Sequence, residues 1–282
     1  MDIGLGLPVT NPHRLIEWAV RAESSRFSTV ALLDRLVFDN PEPLVALSVL
    51  AGATERIRLQ TEVLLAPLRS TALLAKQVAT LDRMSHGRLT LGVGVGGRSD
   101  DHAAAGTPMS RRGAVLDRQL DELRRIWRGA PYPADGSGGP IGPRPVGPGG
   151  PPILIGAFAP AALRRVAEYG DGFLCAAPLD WAGPLVTTVR EQWDAAARTG
   201  RPRLVFQVNV AVGRAETIEA ARCAIARYYA FTGRSGWGAP LTDPSEIRDV
   251  AAAHREFGAD ELVCYCYGDD PDQIEILADL VL

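Results

Sequence analysis

The run GRLTLGVGVGGRSDDH, residues 87–102, holds Gly92, Gly94 and Gly97 in the order G-x-G-x-x-G. Glycines at that spacing can open a helix onto a pyrophosphate, because bare backbone approaches the anion and a helix N-terminus favours negative charge. That chemistry needs a strand before the motif, a helix directly after it, and an acidic residue about 20 residues on. Here Gly92 and Gly94 lie inside an apolar run, and the next helical pattern starts near Ser110. The acids at the right distance, Asp117 and Asp121, fall within a helix. This context argues against a dinucleotide fingerprint. Glycine inside a strand also lets another surface approach the backbone, and either a ligand or the chain's own tight packing can be that surface.

Other reactive types are sparse. His13, His86, His102 and His254 are scattered and form no H-x-x-x-H pair, so no protein-held metal is expected. Cys175, Cys223, Cys264 and Cys266 fit neither zinc spacing nor a disulfide framework, and read as reduced thiols of a cytoplasmic protein. A formal net charge of −3 argues against a nucleic-acid or membrane-surface binder. No apolar run approaches the ~20 residues of a bilayer span. The start MDIGLGLPVT lacks the basic and apolar regions of a signal peptide. Apolar residues make up 46% of 282 and charged residues 22%, ordinary for a globular chain with a sizeable core. Lys76 is the sole lysine, which with abundant Ala, Gly and Pro suggests a GC-rich genome.

The elements that must position these residues alternate. Strands are expected at Ile3–Leu7, Thr29–Leu33, Ile57–Leu65, Arg88–Val95, Pro152–Ile155, Gly172–Ala176, Leu204–Val212 and Glu261–Tyr265, with helical patterns between them and over Pro271–Leu282. Strand-then-helix repetition implies parallel strands with right-handed crossovers, and apolar runs such as VALLD suit strands covered on both faces. Eight units in this length fit a (β/α)₈ TIM barrel; a doubly wound open sheet is the competitor. Asn11-Pro12 should start the first helix, with Leu15, Ile16, Ala19 and Val20 inward. Asp243-Pro244 with Glu246, and Asp270-Pro271 with Gln273, resemble capping boxes. Leu116, Leu120, Leu123 and Trp127 share one helix face. Gly170 and Gly258 suit left-handed helix ends. The Gly/Pro-rich residues 130–151 read as a surface loop inside one domain, 1–282, rather than as a linker, because a break there would leave four units on each side. Residues 231–243 read as a lid or an ordinary surface loop.

Several stretches resemble the bacterial luciferase-like oxidoreductases: A-x-x-x-T-x-R-I-x-L, then A-K-Q-x-A-T-L-D, then S-x-G-R-L-x-L-G-V-G, with IGLGLP at the start and PILIGAFAPAALRRVAEYGDGFLCAA later. The likeness covers the first six strands and their helices. It implies a luciferase-like TIM barrel with the ring of FMN, or of the deazaflavin coenzyme F420, at the C-terminal mouth. It also implies a non-proline cis peptide at Glu62-Val63 beneath the ring, and glycines that let the ring lie against backbone at Gly94, Val95, Gly96 and Gly97. The cofactor phosphate would lie near Gly156, Ala157 and Phe158 and near Cys175, Ala176 and Ala177. Arg98 would meet a phosphate or the acidic tail of F420, or be a solvated loop residue.

The chain departs from the family's pattern where proton donors belong. Many relatives carry histidine at the end of the second strand, where this chain has Asp34-Arg35, and some carry glutamate where Gly97 stands. Arginine stays protonated, so Arg35 would hold an anion or stabilise negative charge. Asp34, Glu62 and His102 are the substitute acids. Against these stand plainer roles: Asp34 as a cap or a partner of Arg35, His102 as an exposed loop residue, and Glu62 as an ion-pair partner of Arg35 or Arg98. Trp181, Trp193 and Trp237 either line a pocket or pack helices. The sequence thus reads as a cytoplasmic oxidoreductase passing hydride to or from a small organic substrate. F420 is favoured over FMN by the short chain and composition. Reduced FMN also activates oxygen, so a monooxygenase is the alternative, then a flavin-binding relative without catalysis, then an NAD(P) dehydrogenase. A homodimer and a separate reductase supplying reduced cofactor are the partners the resemblance implies.

Overall fold

The structure, a computed structural model, describes residues 1–8, 11–234, 236 and 238–282. Among these residues nine strands occur: β1 (Asp2–Gly6), β2 (Thr29–Leu32), β3 (Arg58–Thr61), β4 (Leu64–Leu65), β5 (Leu89–Gly94), β6 (Ile153–Gly156), β7 (Gly172–Cys175), β8 (Arg203–Val210) and β9 (Glu261–Cys266). Between them run α1 (Leu15–Ser24), α2 (Pro43–Ala53), α3 (Thr71–Met84), α4 (Ser99–Ala104), α5 (Arg112–Trp127), α6 (Pro160–Tyr169), α7 (Leu179–Ala195), α8 (Ala215–Tyr229) and α9 (Pro244–Phe257), with α10 (Gln273–Val281) last. Every strand pairing is parallel. The order β3-β2-β1-β9-β8-β7-β6-β5-β4 closes through an additional β3–β5 pairing. β3 and β4 are two halves of one barrel strand, parted at Glu62-Val63, whose peptide bond is cis. Eight strand positions therefore form a closed (β/α)₈ barrel, and the open-sheet alternative is excluded.

Alternation sorts the strand residues. In β9, Val263 and Tyr265 turn inward with Ala31, Leu154, Leu174 and Val205. Leu262, Cys264 and Cys266 turn outward to the layer between sheet and helices. The Tyr265 ring fills the barrel against Gly6, where a Cβ would fall 2.2 Å from it. At the base, the fully buried Glu261 accepts from Ser28 and Thr29 and pairs with Arg58 at 3.1 Å and Arg203 at 2.7 Å. A buried carboxylate needs such partners. All four cysteines are free, and burial pushes the Cys264 thiol up to about 12.

Local signals held in part. Asp243 caps α9 by accepting from the amides of Ser245 and Glu246, and Gly258 ends it at φ +90°. Asn11 caps a 3-10 turn over Pro12–Arg14 rather than α1 itself. The buried stripe of α1 is Leu15, Trp18, Ala19 and Ala22; Ile16 and Val20 are exposed, so that expectation was rotated around the helix. Trp18 outcompetes them through its larger apolar area. Gly170 adopts φ −87°, not the left-handed region; it is glycine because a Cβ would fall 2.9 Å from Ile155. The stretch after β5 is not all loop either, since SDDHAA forms the short α4 with two acids in its first turn. Residues 129–151 run between α5 and β6, tied to α5 by Arg124 donating to the Gly149 carbonyl at 2.6 Å.

Candidate functional site

The C-terminal ends of the strands surround a cavity of about 430 Å³, with α8 and Phe231 closing one side. Barrels of this kind gather reactive groups at this end. The strand break sets its shape. Val63, lifted out of the ladder at the cis bond, fills the space over two glycines: a Cβ on Gly94 would fall 2.6 Å from its Cγ2, and one on Gly156 2.9 Å from its Cγ1. Gly92 makes room for the Thr61 carbonyl, 2.1 Å from where its Cβ would stand. The glycines at 92, 94 and 156 thus serve the chain's own kinked strand first. Gly97 alone of this set faces open space, and Gly96 holds φ +75°.

Asp34 and Arg35 both line the cavity, but they do not pair with each other. Asp34 accepts from the Leu65 amide at 2.8 Å and from Arg69 Nη1 at 2.8 Å, which anchors β4 behind the kink. Burial raises its pKa, and Arg69 opposes that rise. Arg35 Nε donates to Asp101 Oδ2 at 2.6 Å, and Nη2 to the Val37 carbonyl at 3.1 Å. Asp101 Oδ1 takes the amides of Leu36 and Val37, so this buried pair pins the loop after β2 to α4. Arg35 Nη1 is buried without a partner.

Glu62 lies at the cavity floor, 6% exposed, and among the described residues neither carboxylate oxygen has a hydrogen-bond partner. It pairs with neither Arg35 nor Arg98, contrary to the plainer expectation. Arg98 pairs with Asp100 at 3.1 Å and lies over the Phe231 ring. Burial drives the Glu62 pKa well above its ordinary range, Glu261 adds to the rise, and the Gln60 side chain opposes it. Burial thus disfavours the charged form of this carboxyl. The hydroxyls of Tyr265 and Tyr267 are also buried without partners.

His102 is buried rather than exposed, and it does not line the cavity. Its Nδ1 lies 3.1 Å from Thr107 Oγ1 and its Nε2 3.0 Å from the Val95 carbonyl. A carbonyl only accepts, so Nε2 carries the proton and the ring braces the chain after β5. Gly156, Ala157, Phe158 and Ala176 line the cavity; Cys175 and Ala177 are buried and do not. The N-terminus of α6 opens here with no side-chain cap; Pro160 has no amide hydrogen and the Ala162 and Leu163 amides donate to the Ala159 carbonyl, which leaves the Ala161 amide of the first turn for an anion. Phe158 stacks on Trp181 at 5.2 Å, whereas Trp193 is buried under Arg198. Trp237 lies outside the described residues.

Sequence reasoning missed several contributors to the lining. Arg112, at the start of α5, has a buried Nε without a partner. Gln207 points inward from β8. Tyr228 on α8 and Tyr267 after β9 complete an aromatic wall. The alternation in Tyr265-Cys266-Tyr267 could have shown the inward Tyr267; Arg112 carries no local signal.

The family of luciferase-like monooxygenases matches this chain over residues 2–273. The chain belongs to that family. A luciferase-like relative, the F420-dependent glucose-6-phosphate dehydrogenase of Beutenbergia cavernae, is 32% identical over 179 residues, covering 58% of this chain and 52% of that one. The chain spans between about half and three-fifths of the length of the curated relatives it matches. A monooxygenase from Streptomyces bottropensis has the same fold, with a TM-score of 0.83 at 21% identity over 99% of this chain and 97% of the other. So does the FMN-bound oxygenating constituent of a diketocamphane monooxygenase from Pseudomonas putida, with a TM-score of 0.74 at 18% identity over 100% and 97%. Among the described residues no helix is long and apolar enough to cross a membrane.

Proposed function

We propose that this luciferase-like protein is an oxidoreductase that holds F420 or FMN in the mouth cavity against Val63 and acts on a small organic substrate. The observation that carries the reading is the pairing of a kinked, glycine-cradled strand with unspent donors on one side of the same cavity. The Ala161 amide at the start of α6 and the unpartnered Arg112 Nε can take a phosphate group. Either cofactor supplies redox chemistry that side chains cannot, hydride transfer for both and oxygenation for FMN. The residues bind, orient and hold protons. Arg35 Nη1 offers a donor to negative charge, Asp34 fixes the backbone at Leu65, and burial favours the protonated form of Glu62.

F420 is the favoured cofactor, supported by the Beutenbergia relative; the Pseudomonas neighbour, solved with FMN, supports FMN, and a separate reductase supplying reduced cofactor belongs to the same reading. We read the chain as one domain, with residues 231–243 covering the mouth. We also read it as a homodimer, because α2 exposes Val45 and Val49 at 62% and 52% beside the exposed Leu73 of α3.

The phosphate assignment has a direct test. Arg112→Ala should weaken FMN or F420 binding by roughly 10- to 100-fold, the worth of a hydrogen bond to a charged group. Riboflavin, or the deazaflavin without its phosphate tail, should bind the variant and the parent equally. Equal losses for both ligand classes would remove Arg112 from the phosphate site.

A further inference from the structure

A second cavity of about 530 Å³ adjoins the mouth and shares Ala176, Gln207 and Tyr229 with it. It runs from there along the outer side of β8, between α7 and α9, past Leu179, Val208 and Val250. The segment over it is tied to β8. Leu241 donates to the Asn209 carbonyl at 2.9 Å, and Asn209 Nδ2 donates to the Gly238 carbonyl at 2.8 Å. The chamber is therefore mostly apolar, and its Asn209 amide is already engaged.

His254 is the exception in its wall. The residue is 3% exposed, and its Nδ1 lies 2.7 Å from the Val250 carbonyl one helical turn back. A carbonyl only accepts, so Nδ1 carries the hydrogen and Nε2 presents a lone pair. Among the described residues nothing donates to that buried Nε2. Burial against Phe206 also disfavours the charged ring. Buried acceptors in folded proteins almost always find a donor.

We propose that this chamber is the substrate site, and that it takes a mainly apolar molecule whose hydroxyl or N–H group donates to His254 Nε2. The chamber's walls supply apolar contact, the histidine selects for one donor, and the shared wall at Gln207 and Tyr229 leads to the mouth. As the substrate's place it rests on the cofactor reading above; as a ligand site it stands on its own geometry.

The test uses n-octanol and heptyl methyl ether, which match in size and differ in the donor. The purified full chain should bind n-octanol about tenfold more tightly than the ether, the worth of one net hydrogen bond. The nitrogen resonance of His254 Nε2 should shift with the alcohol alone. His254→Phe should erase the preference, and Ala253→Trp or Val250→Phe should weaken both probes by crowding the chamber. F420 and FMN should bind all three variants unchanged and should not displace the alcohol. Equal affinities for alcohol and ether, or displacement by either cofactor, would overturn the proposal. Alcohol binding without any F420 or FMN binding would keep the chamber and overturn the mouth reading instead.

Discussion

Replacing Glu62 by Gln should change how stability depends on pH. The Glu62 carboxyl is buried, lacks any hydrogen-bond partner, and has its pKa raised well above its ordinary 4.5. Below that value both the folded and unfolded chains hold the proton, and the carboxyl adds no pH dependence. Above it the unfolded chain releases the proton while the folded chain keeps it. Stability then falls as pH rises, by about 1.4 kcal/mol per pH unit, until the raised pKa is passed. Glutamine has the same shape and does not titrate. The Glu62→Gln chain should therefore gain on its parent by that amount per pH unit above 4.5. For a chain of this size 1 kcal/mol moves Tm by roughly 2–4 °C, so the gap should widen by about 3–6 °C per unit. Urea unfolding and thermal melts of both chains across mildly acidic to neutral buffers read this directly. The difference isolates Glu62, because every other titrating group is common to both chains. Parallel stability profiles would refute the reasoning, since a carboxyl that ionises normally in the fold produces no divergence.

Two further outcomes follow from the packing. Gly94→Ala should cost about 1–3 kcal/mol because its Cβ would meet Val63, and Val63→Ala in the same chain should restore most of that loss; a double-mutant cycle with no coupling would mean the two sites do not touch. Val45→Glu with Val49→Glu should leave the melt within about 1 kcal/mol of the parent, as exposed sites do, while light scattering shows monomer in place of dimer; an unchanged mass would remove α2 from the subunit contact.

Much of the barrel was legible because it rests on local chemistry. Eight apolar runs became eight strand positions, and the Asp243-Pro244 start and the α5 stripe fell where their spacing placed them. The Ile57–Leu65 run shows the limit of periodicity: it became two short strands around Glu62-Val63, and it was the family resemblance that pointed to that break. Partner choice was the least legible part. Asp34 took Arg69 from the link between β4 and α3, and Arg35 took Asp101 from a helix that polar residues alone did not announce. Such pairs join positions separated by a whole strand-helix unit, and nothing in either segment names the other. The glycine run was read correctly as a close approach, but Val63 makes that approach, a contact visible only once the kink is in place.

The location of the redox ring is the claim on which the rest depends. A crystal structure of the protein grown with F420, and another with FMN, tests it most directly. Ring density should appear in the mouth cavity against Val63, with the phosphate within hydrogen-bond distance of Arg112 and the Ala161 amide at the start of α6. Ring density anywhere else, or neither cofactor bound at saturating concentration, would contradict it.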